Sequence, residues 1–306
     1  MEERVRAVSS DQITRAYFDS LLLEMRHIDA VEPDTTLTLY GETFATPVMM
    51  AALSHLKGQG NEGDGMVQMA EGAKMAGAVN WAGMGDCDQF DRIAATGARS
   101  IKIIKPYADE KEVLTRIERA EEAGALAVGM DVDHAFAANG HPDRIHGLSM
   151  RPRTMEEIAA YVKRTHLPFI VKGVLSVTDA KKCLQAGVKG IVVSHHHNLM
   201  PSAVAPLMIL PDIVKAVEGA MPVFVDCGVQ NGADVLKALL LGATAVSVGR
   251  PVIDPILERG AQGAAETIGR ITDELRGMMA RTATPDLMHM DPSLLWTTQG
   301  RPLLDR

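Results

Sequence analysis

The chain has 306 residues, 46% of them hydrophobic, enough for one large domain or two small ones around a sizeable core. Lys and Arg number 31 against 39 Asp and Glu, a formal net charge of -8 that argues against a nucleic-acid surface as the main partner. Three cysteines, Cys87, Cys183 and Cys227, lack CxxC or CxxH spacing, which disfavours a disulfide framework or structural zinc and fits a reduced, cytoplasmic compartment.

The N-terminus, MEERVRAVSSDQ, is charged and lacks the apolar segment of a secretory signal. No apolar run approaches the roughly 18 residues of a membrane span, so no membrane partner is expected. Residues 1–45 read as an N-terminal helical extension lying under the bottom of the fold. Eight short apolar runs follow, at 47–52, 78–82, 100–104, 125–130, 168–172, 190–194, 222–226 and 244–249. Several are near-continuous in Val, Ile and Met rather than alternating, as in parallel strands buried on both faces. Helical spacing appears between them, at 62–75, 110–123, 154–164, 176–185, 211–218, 232–241 and 262–281. The segment TMEEIAAYVKR opens with Thr154 and, three residues on, Glu157, a capping box.

Strand and helix alternate eight times. That pattern favours an α/β fold, a (β/α)8 TIM barrel of one domain over 1–306, with the barrel and C-terminal helices in 46–306. A doubly wound open sheet is the alternative. Residues 134–153 form the longest irregular stretch and follow the fourth strand, where a lid or substrate loop would sit.

The polar corners after the later strands carry the chemistry. DCGVQNGAD follows the seventh run and GRP the eighth, and barrels often hold a phosphate between these two loops. Gly228, Gly232 and Gly249 allow close backbone approach, and Arg250 adds a cationic fork. Lys172 ends the fifth run and points into the barrel mouth, as a charge-stabilising group or a Schiff-base amine. Ser194, His195, His196 and His197 end the sixth. Strand alternation puts His195 and His197 on one side and His196 on the other, and a histidine is the usual base near neutral pH. A metal site would need these histidines to converge with Asp131 or Asp133, and none is expected.

The order FIVKG, VSHHHN, DCGVQNGADVLKALLLGATAVSVGRPV resembles the FMN-dependent α-hydroxy-acid oxidase and dehydrogenase family, the lactate and glycolate oxidases. The segment DTTLTLYGETFATPVMMAAL resembles that family's first strand and its lead-in. The resemblance implies FMN as cofactor, a small-molecule substrate and a homo-oligomer, a tetramer. It places Lys172 beside the flavin N1/O2 edge and Ser194 at the ring or ribityl chain. Asp226, Gly228 and Gln230 would hold ribityl and phosphate groups, Gly249 and Arg250 the phosphate, and Ala51 and Ala52 the flavin face. His196 falls at the base of the family's Ser-Asn-His-Gly-x-Arg-Gln motif, taking the hydroxyl proton as hydride passes to flavin N5.

The departures concern the substrate. The motif arginine that clamps the substrate carboxylate falls at Leu199, and its Asn and Gly neighbours fall at His195 and His197. The family's flavin-contacting glutamine falls at Lys102 and its strand-four threonine at Asp131, which places Asp131 among the catalytic groups. The serine-threonine pair falls at Gly83 and Met84, and the phosphate-loop arginines at Gln230 and Asn231. Arg144, in the long loop, is the expected replacement cation for the substrate, with His195 beside it. A standard short 2-hydroxy acid is therefore not the expected donor. Two alternatives remain: non-redox acid-base chemistry on FMN, as in type 2 isopentenyl diphosphate isomerase, and a metal-dependent lyase using the histidines.

Overall fold

A computed structural model describes residues 8–60, 63–300 and 303. Most of the charged N-terminal stretch, and the first residue of the helix expected at 62–75, lie outside the described residues. The apolar runs form eight strands: β1 (Val48–Met50), β2 (Asn80–Ala82), β3 (Ser100–Ile104), β4 (Ala127–Asp131), β5 (Phe169–Val174), β6 (Ile191–Val193), β7 (Val223–Val225) and β8 (Ala245–Val248). All pair in parallel, in the order β1-β8-β7-β6-β5-β4-β3-β2. The two ends of this sheet meet. Met50 donates its amide N–H to Val79 O at 3.1 Å, Gly83 donates to Leu53 O at 2.9 Å, and Leu53 bridges Ala82. The sheet is therefore a (β/α)8 barrel and not the open alternative.

The helices are α1 (Ser10–Ser20), α2 (Gly65–Met75), α3 (Cys87–Ala95), α4 (Glu110–Glu122), α5 (Met155–Arg164), α6 (Val177–Gln185), α7 (Pro206–Val217), α8 (Gly232–Leu240) and α9 (Arg250–Arg281). The capping box opens α5 as expected, with Thr154 and Glu157 each bonded to the other's backbone. Helix α3 has no counterpart among the expected helices. Asp86 caps it, and only Phe90 and Ile93 are buried, too narrow a stripe to stand out in the sequence. Helix α7 starts before the expected 211, because Pro206 suits its first turn. Helix α9 starts well before 262 and breaks at Gly260, whose φ of 58° is left-handed.

Alternation builds the mouth of the barrel. Met49, Trp81, Ile103, Ile170, Val192, Phe224 and Ala245 pack together in the interior. Two residues further along the same inward rows stand Ala51, Gly83, Lys105, Lys172, Ser194, Asp226 and Ser247, and on β4 Gly129 leads likewise to Asp131. An apolar floor thus gives way to a polar layer at the C-terminal ends of the strands.

The N-terminal extension, expected at the bottom and helical, divides between the two ends of the barrel. Its helix covers the C-terminal side: Arg15 forks onto Asp234 with two bonds of 2.9 Å and donates to Gly228 O, and Ser10 N–H donates to Asn198. Ser10 and Thr14 find partners on the loop that follows β6, while Arg15 reaches Gly228 on the loop that follows β7 and Asp234 in α8. The bottom is closed, as expected, by the last part of the same extension, a hairpin of Leu37–Leu39 with Glu42–Phe44 whose Leu37, Leu39 and Phe44 join the interior cluster. Tyr40 OH, at its turn, donates to Lys189 O at 2.8 Å.

Candidate active site

A cavity of about 520 Å³ opens at the mouth. Its wall includes Ala51, Ala52, Lys172, His196, Asp226, Gly228, Gln230, Gly249 and Arg250, all expected from the sequence. The β4–β5 register sets Lys172 opposite Asp131. Lys172 Nζ lies 3.4 Å from Asp131 Oδ1 and 3.4 Å from Asp226 Oδ2. The other Asp131 oxygen pairs with Lys105 Nζ at 2.6 Å.

His196 enters this cluster from the loop after β6. Its Nδ1 lies 3.0 Å from Asp133 Oδ1, 3.2 Å from Asp131 Oδ1 and 3.3 Å from Lys172 Nζ. Its Nε2 lies 3.1 Å from His134 Nε2, and His134 Nδ1 lies 3.3 Å from Asp143 Oδ2. Histidines 196 and 197 and Asn198 have φ of 48°, 55° and 65°. Three successive left-handed residues are strained, and such strain gathers at functional sites.

The charges set one another. Burial works against ionised Asp131, but Lys172, then His196 and Lys105, hold its carboxyl well below the usual range. Burial and Asp131 push Asp133 upward. Burial also opposes the Lys172 ammonium, yet Asp131, Asp226 and Asp133 outweigh it and raise its pKa. Asp226 is likewise buried and is held low by Lys172, with help from Ser194 and Cys227. For His196, burial and Lys172 favour the neutral ring, while Asp131 and Asp133 prevail and raise it. Burial, then Lys105 and His196, lower His134 to about 4.

The strand alternation expected for the histidine run does not hold, because β6 ends at Val193 and the left-handed turn follows. The three rings diverge. His195 is buried beneath α1, where its Nδ1 accepts from Asn198 N–H and its Nε2 meets Thr14 Oγ1 at 2.7 Å. With both ring nitrogens engaged, it is a support for the turn and does not line the cavity. His197 is exposed and pairs with Asp11 at 2.7 Å. The convergence of His195, His197 and Asp131 needed for the metal alternative is therefore absent. Asp131, Asp133, His134 and His196 do come within 4.8 Å of one another. The Lys105 and Lys172 ammonium groups already face Asp131 and oppose a further cation.

Asp131, Lys102, Ser194 and Arg144, also expected at the site, fall outside the cavity wall, although Asp131 contacts Lys172 and His196, which line it. Lys102 lies in the outward row of β3, donates to Gly83 O at 2.6 Å and sits over the Phe90 ring. Burial, then Arg116, lower its pKa to about 8. Lys105 takes the inward position that the comparison of motifs gave to Lys102; counting in twos from Ile101 and Ile103 would have found it. The Ser194 hydroxyl accepts from His196 N–H at 3.0 Å and so shapes the turn. Arg144 is exposed on a small hairpin of the long loop, Arg144–Ile145 with Leu148–Ser149, away from the cavity wall.

Gly173 makes the Asp133 contact possible. The β5–β6 register slips between Lys172 and Val174, and Gly173 has φ of 93°. A Cβ there would lie 2.5 Å from Asp133 Cγ and Oδ2. Gly173→Ala is expected to cost about 1–3 kcal/mol and to displace Asp133, moving the His196 titration downward. Thermal unfolding together with a histidine NMR titration checks both effects.

The FMN-dependent dehydrogenase family model matches residues 5–160 and 150–297. The 4-hydroxymandelate oxidase of Amycolatopsis orientalis is 30% identical over 285 residues, covering 82% of this chain and 79% of that protein. The glycolate oxidase of Spinacia oleracea is 30% identical over 303 residues, covering 87% and 81%. A mandelate oxidase variant solved with an FMN adduct superposes with a TM-score of 0.84 at 30% identity, covering 95% of this chain and 91% of that one. Another variant, with an arginine replaced by leucine and 2-hydroxy-phenylacetamide bound, superposes at 0.81 and 30% identity, covering 92% and 89%. The resemblance read from FIVKG, SHHHN and DCGVQNG thus extends along nearly the whole chain, which belongs to the FMN-dependent dehydrogenase family and is an FMN-dependent oxidoreductase.

Proposed function

We propose that the protein oxidises a CH–OH donor, with His196 taking the hydroxyl proton as hydride leaves the adjacent carbon. The observation that carries this reading is the orientation of the His196 ring. Asp133 and Asp131 face Nδ1, so the proton there stays, and Nε2 is the nitrogen that exchanges. FMN, when bound, supplies the hydride acceptor.

The residues present suit that cofactor. The cavity is within the usual size for such sites. Ala51 and Ala52 give a flat wall for a ring system, and the Gly228–Gln230 loop offers backbone groups to a polar chain. Helix α9 begins at Arg250, so its free N–H groups and the guanidinium together favour a phosphate. Lys172 would hold negative charge at the ring edge, and Asp131 would fix both Lys172 and His196.

The donor is the less ordinary part. Within the cavity wall, the Lys172 charge is matched by Asp131 and Asp226, and Arg250 stands at the phosphate corner. A donor carboxylate finds no further arginine there, since Leu199 occupies the motif position and Arg144 is exposed outside the cavity wall. We favour a hydroxy compound whose acid group is masked, such as an amide. The mandelate oxidase variant solved with 2-hydroxy-phenylacetamide supports including amides in a screen. The unpaired cysteines agree with a reduced, cytoplasmic compartment, and the family resemblance favours a homo-oligomer. Among the described residues no helix is long and apolar enough to cross a membrane.

The purified protein should be yellow, and anaerobic mixing should bleach it faster with 2-hydroxy amides than with glycolate, L-lactate or (S)-mandelate. A colourless protein that does not take up FMN would sink the reading as a whole. Faster bleaching by the free acids would sink the donor preference alone.

A further inference from the structure

We propose that His134 and Asp143 form the exit path for the proton that His196 takes from the donor. The inference rests on the reading of His196 as the base and extends it to two residues outside the cavity wall. The His134 and His196 rings meet edge to face, with centroids 4.2 Å apart. Their Nε2 atoms are 3.1 Å apart, within hydrogen-bond reach, so a proton that arrives on His196 Nε2 can pass to His134. On the far side, His134 Nδ1 reaches Asp143 Oδ2 at 3.3 Å. Asp143 Oδ1 accepts from Arg144 N–H at 2.8 Å, which fixes the carboxylate toward the ring. Side-chain exposure along the path is 26% at His196, 19% at His134 and 21% at Asp143, so the path opens to water at Asp143.

The groups around the pair set the direction. Lys105 and Lys172 stand on the barrel side, and Asp131 and Asp133 hold the His196 Nδ1 proton in place. A second proton on His196 Nε2 therefore makes an imidazolium with both N–H groups directed, one at carboxylates and one at His134. His134, kept neutral, accepts on Nε2 and releases its Nδ1 proton to the Asp143 carboxylate and then to water. The donor proton enters His196 Nε2, an equal proton leaves His134 Nδ1, and no electrons move in this step. His134 stays neutral in the other tautomer. When its ring swings away from His196, His134 loses the Nε2 proton to water and takes one from water on Nδ1, which restores the first tautomer and uncovers His196 Nε2 for the next donor molecule. The relay thus returns His196 to its basic form between turnovers. Its members come from the loops after β4 and β6, 62 residues apart in sequence.

The test uses the FMN-loaded protein and the variants His134→Phe, His134→Ala and Asp143→Asn. Without donor, histidine NMR should show His196 titrating at lower pH in His134→Phe than in wild type, because its imidazolium has lost an acceptor. An unchanged His196 titration would overturn the contact with His134 whether or not the catalytic reading stands. With whichever 2-hydroxy amide or acid bleaches the wild type, kcat should fall by about 10- to 100-fold in His134→Phe, with KM little changed. In His134→Ala, which leaves room for the ring, free imidazole should restore it, and Asp143→Asn should show a smaller fall in the same direction. A kcat that stays at the wild-type value, or a loss that imidazole does not restore, overturns the relay. If His134→Phe does not fold, the kcat and proton-release rate of Asp143→Asn decide in the same way. If no donor bleaches the wild type, the functional reading fails and the NMR comparison still decides the contact.

Discussion

In His196→Asn, anaerobic bleaching by the donor is expected to slow by about 10²–10⁴-fold, while the protein keeps its yellow colour. The asparagine amide can still contact Asp133 and Asp131, so the turn and the Lys172 cluster keep their partners. What is lost is a nitrogen able to accept a proton near neutral pH. The pH profile of the wild type gives a second reading. Only neutral His196 accepts the donor proton, and its carboxylate neighbours raise its pKa above the ordinary value. The bleaching rate should therefore climb with pH through a limb above about 6.5 and then level off. Asp133→Asn removes one of the groups that raise His196, so the limb should move to lower pH. Bleaching by His196→Asn at the wild-type rate would remove the histidine from the chemistry.

The barrel and most of its mouth could be read from the chain because both follow from a period of two. Once Ile170 is interior, Lys172 is at the mouth, and the same count gives Asp226 from Phe224 and Ser194 from Val192. The count also corrects the motif comparison, since Ile101 and Ile103 send Lys105 inward and leave Lys102 against Phe90. The histidine run could not be read this way. Left-handed residues at 196–198 end the alternation, and no glycine there announces them. The side on which α1 packs was also hidden, because Ser10, Thr14 and Arg15 are ordinary helix-surface residues until Asn198, His195 and Asp234 are brought beside them. His134 is the same kind of case. Its partner lies on another loop, and only the closure of the barrel brings the two rings together.

Lys172→Met is expected to be among the most destabilising substitutions at the site, by about 3–5 kcal/mol, the usual result of leaving buried opposite charges unpaired. Asp131 retains Lys105, so the larger share of the loss falls on Asp226, which forms its ion pair with Lys172. The pH dependence separates this cause from lost packing. In the wild type, Asp131 and Asp226 are held below the ordinary carboxylate range. Their contribution is fully present above the unfolded pKa of about 3.9 and is lost as pH falls through their lowered values. In the variant, burial without the ammonium moves Asp226 in the opposite sense, so it folds more readily when protonated. The gap between wild type and variant should therefore narrow as pH falls below neutrality. Guanidinium unfolding of both proteins, with and without FMN, measures that gap. A constant gap across pH would assign the loss to packing of the lysine stem and leave the charge cluster without a role in stability. A narrowing gap, accompanied by weaker FMN retention in the variant, would tie the same ammonium to the fold and to the flavin edge.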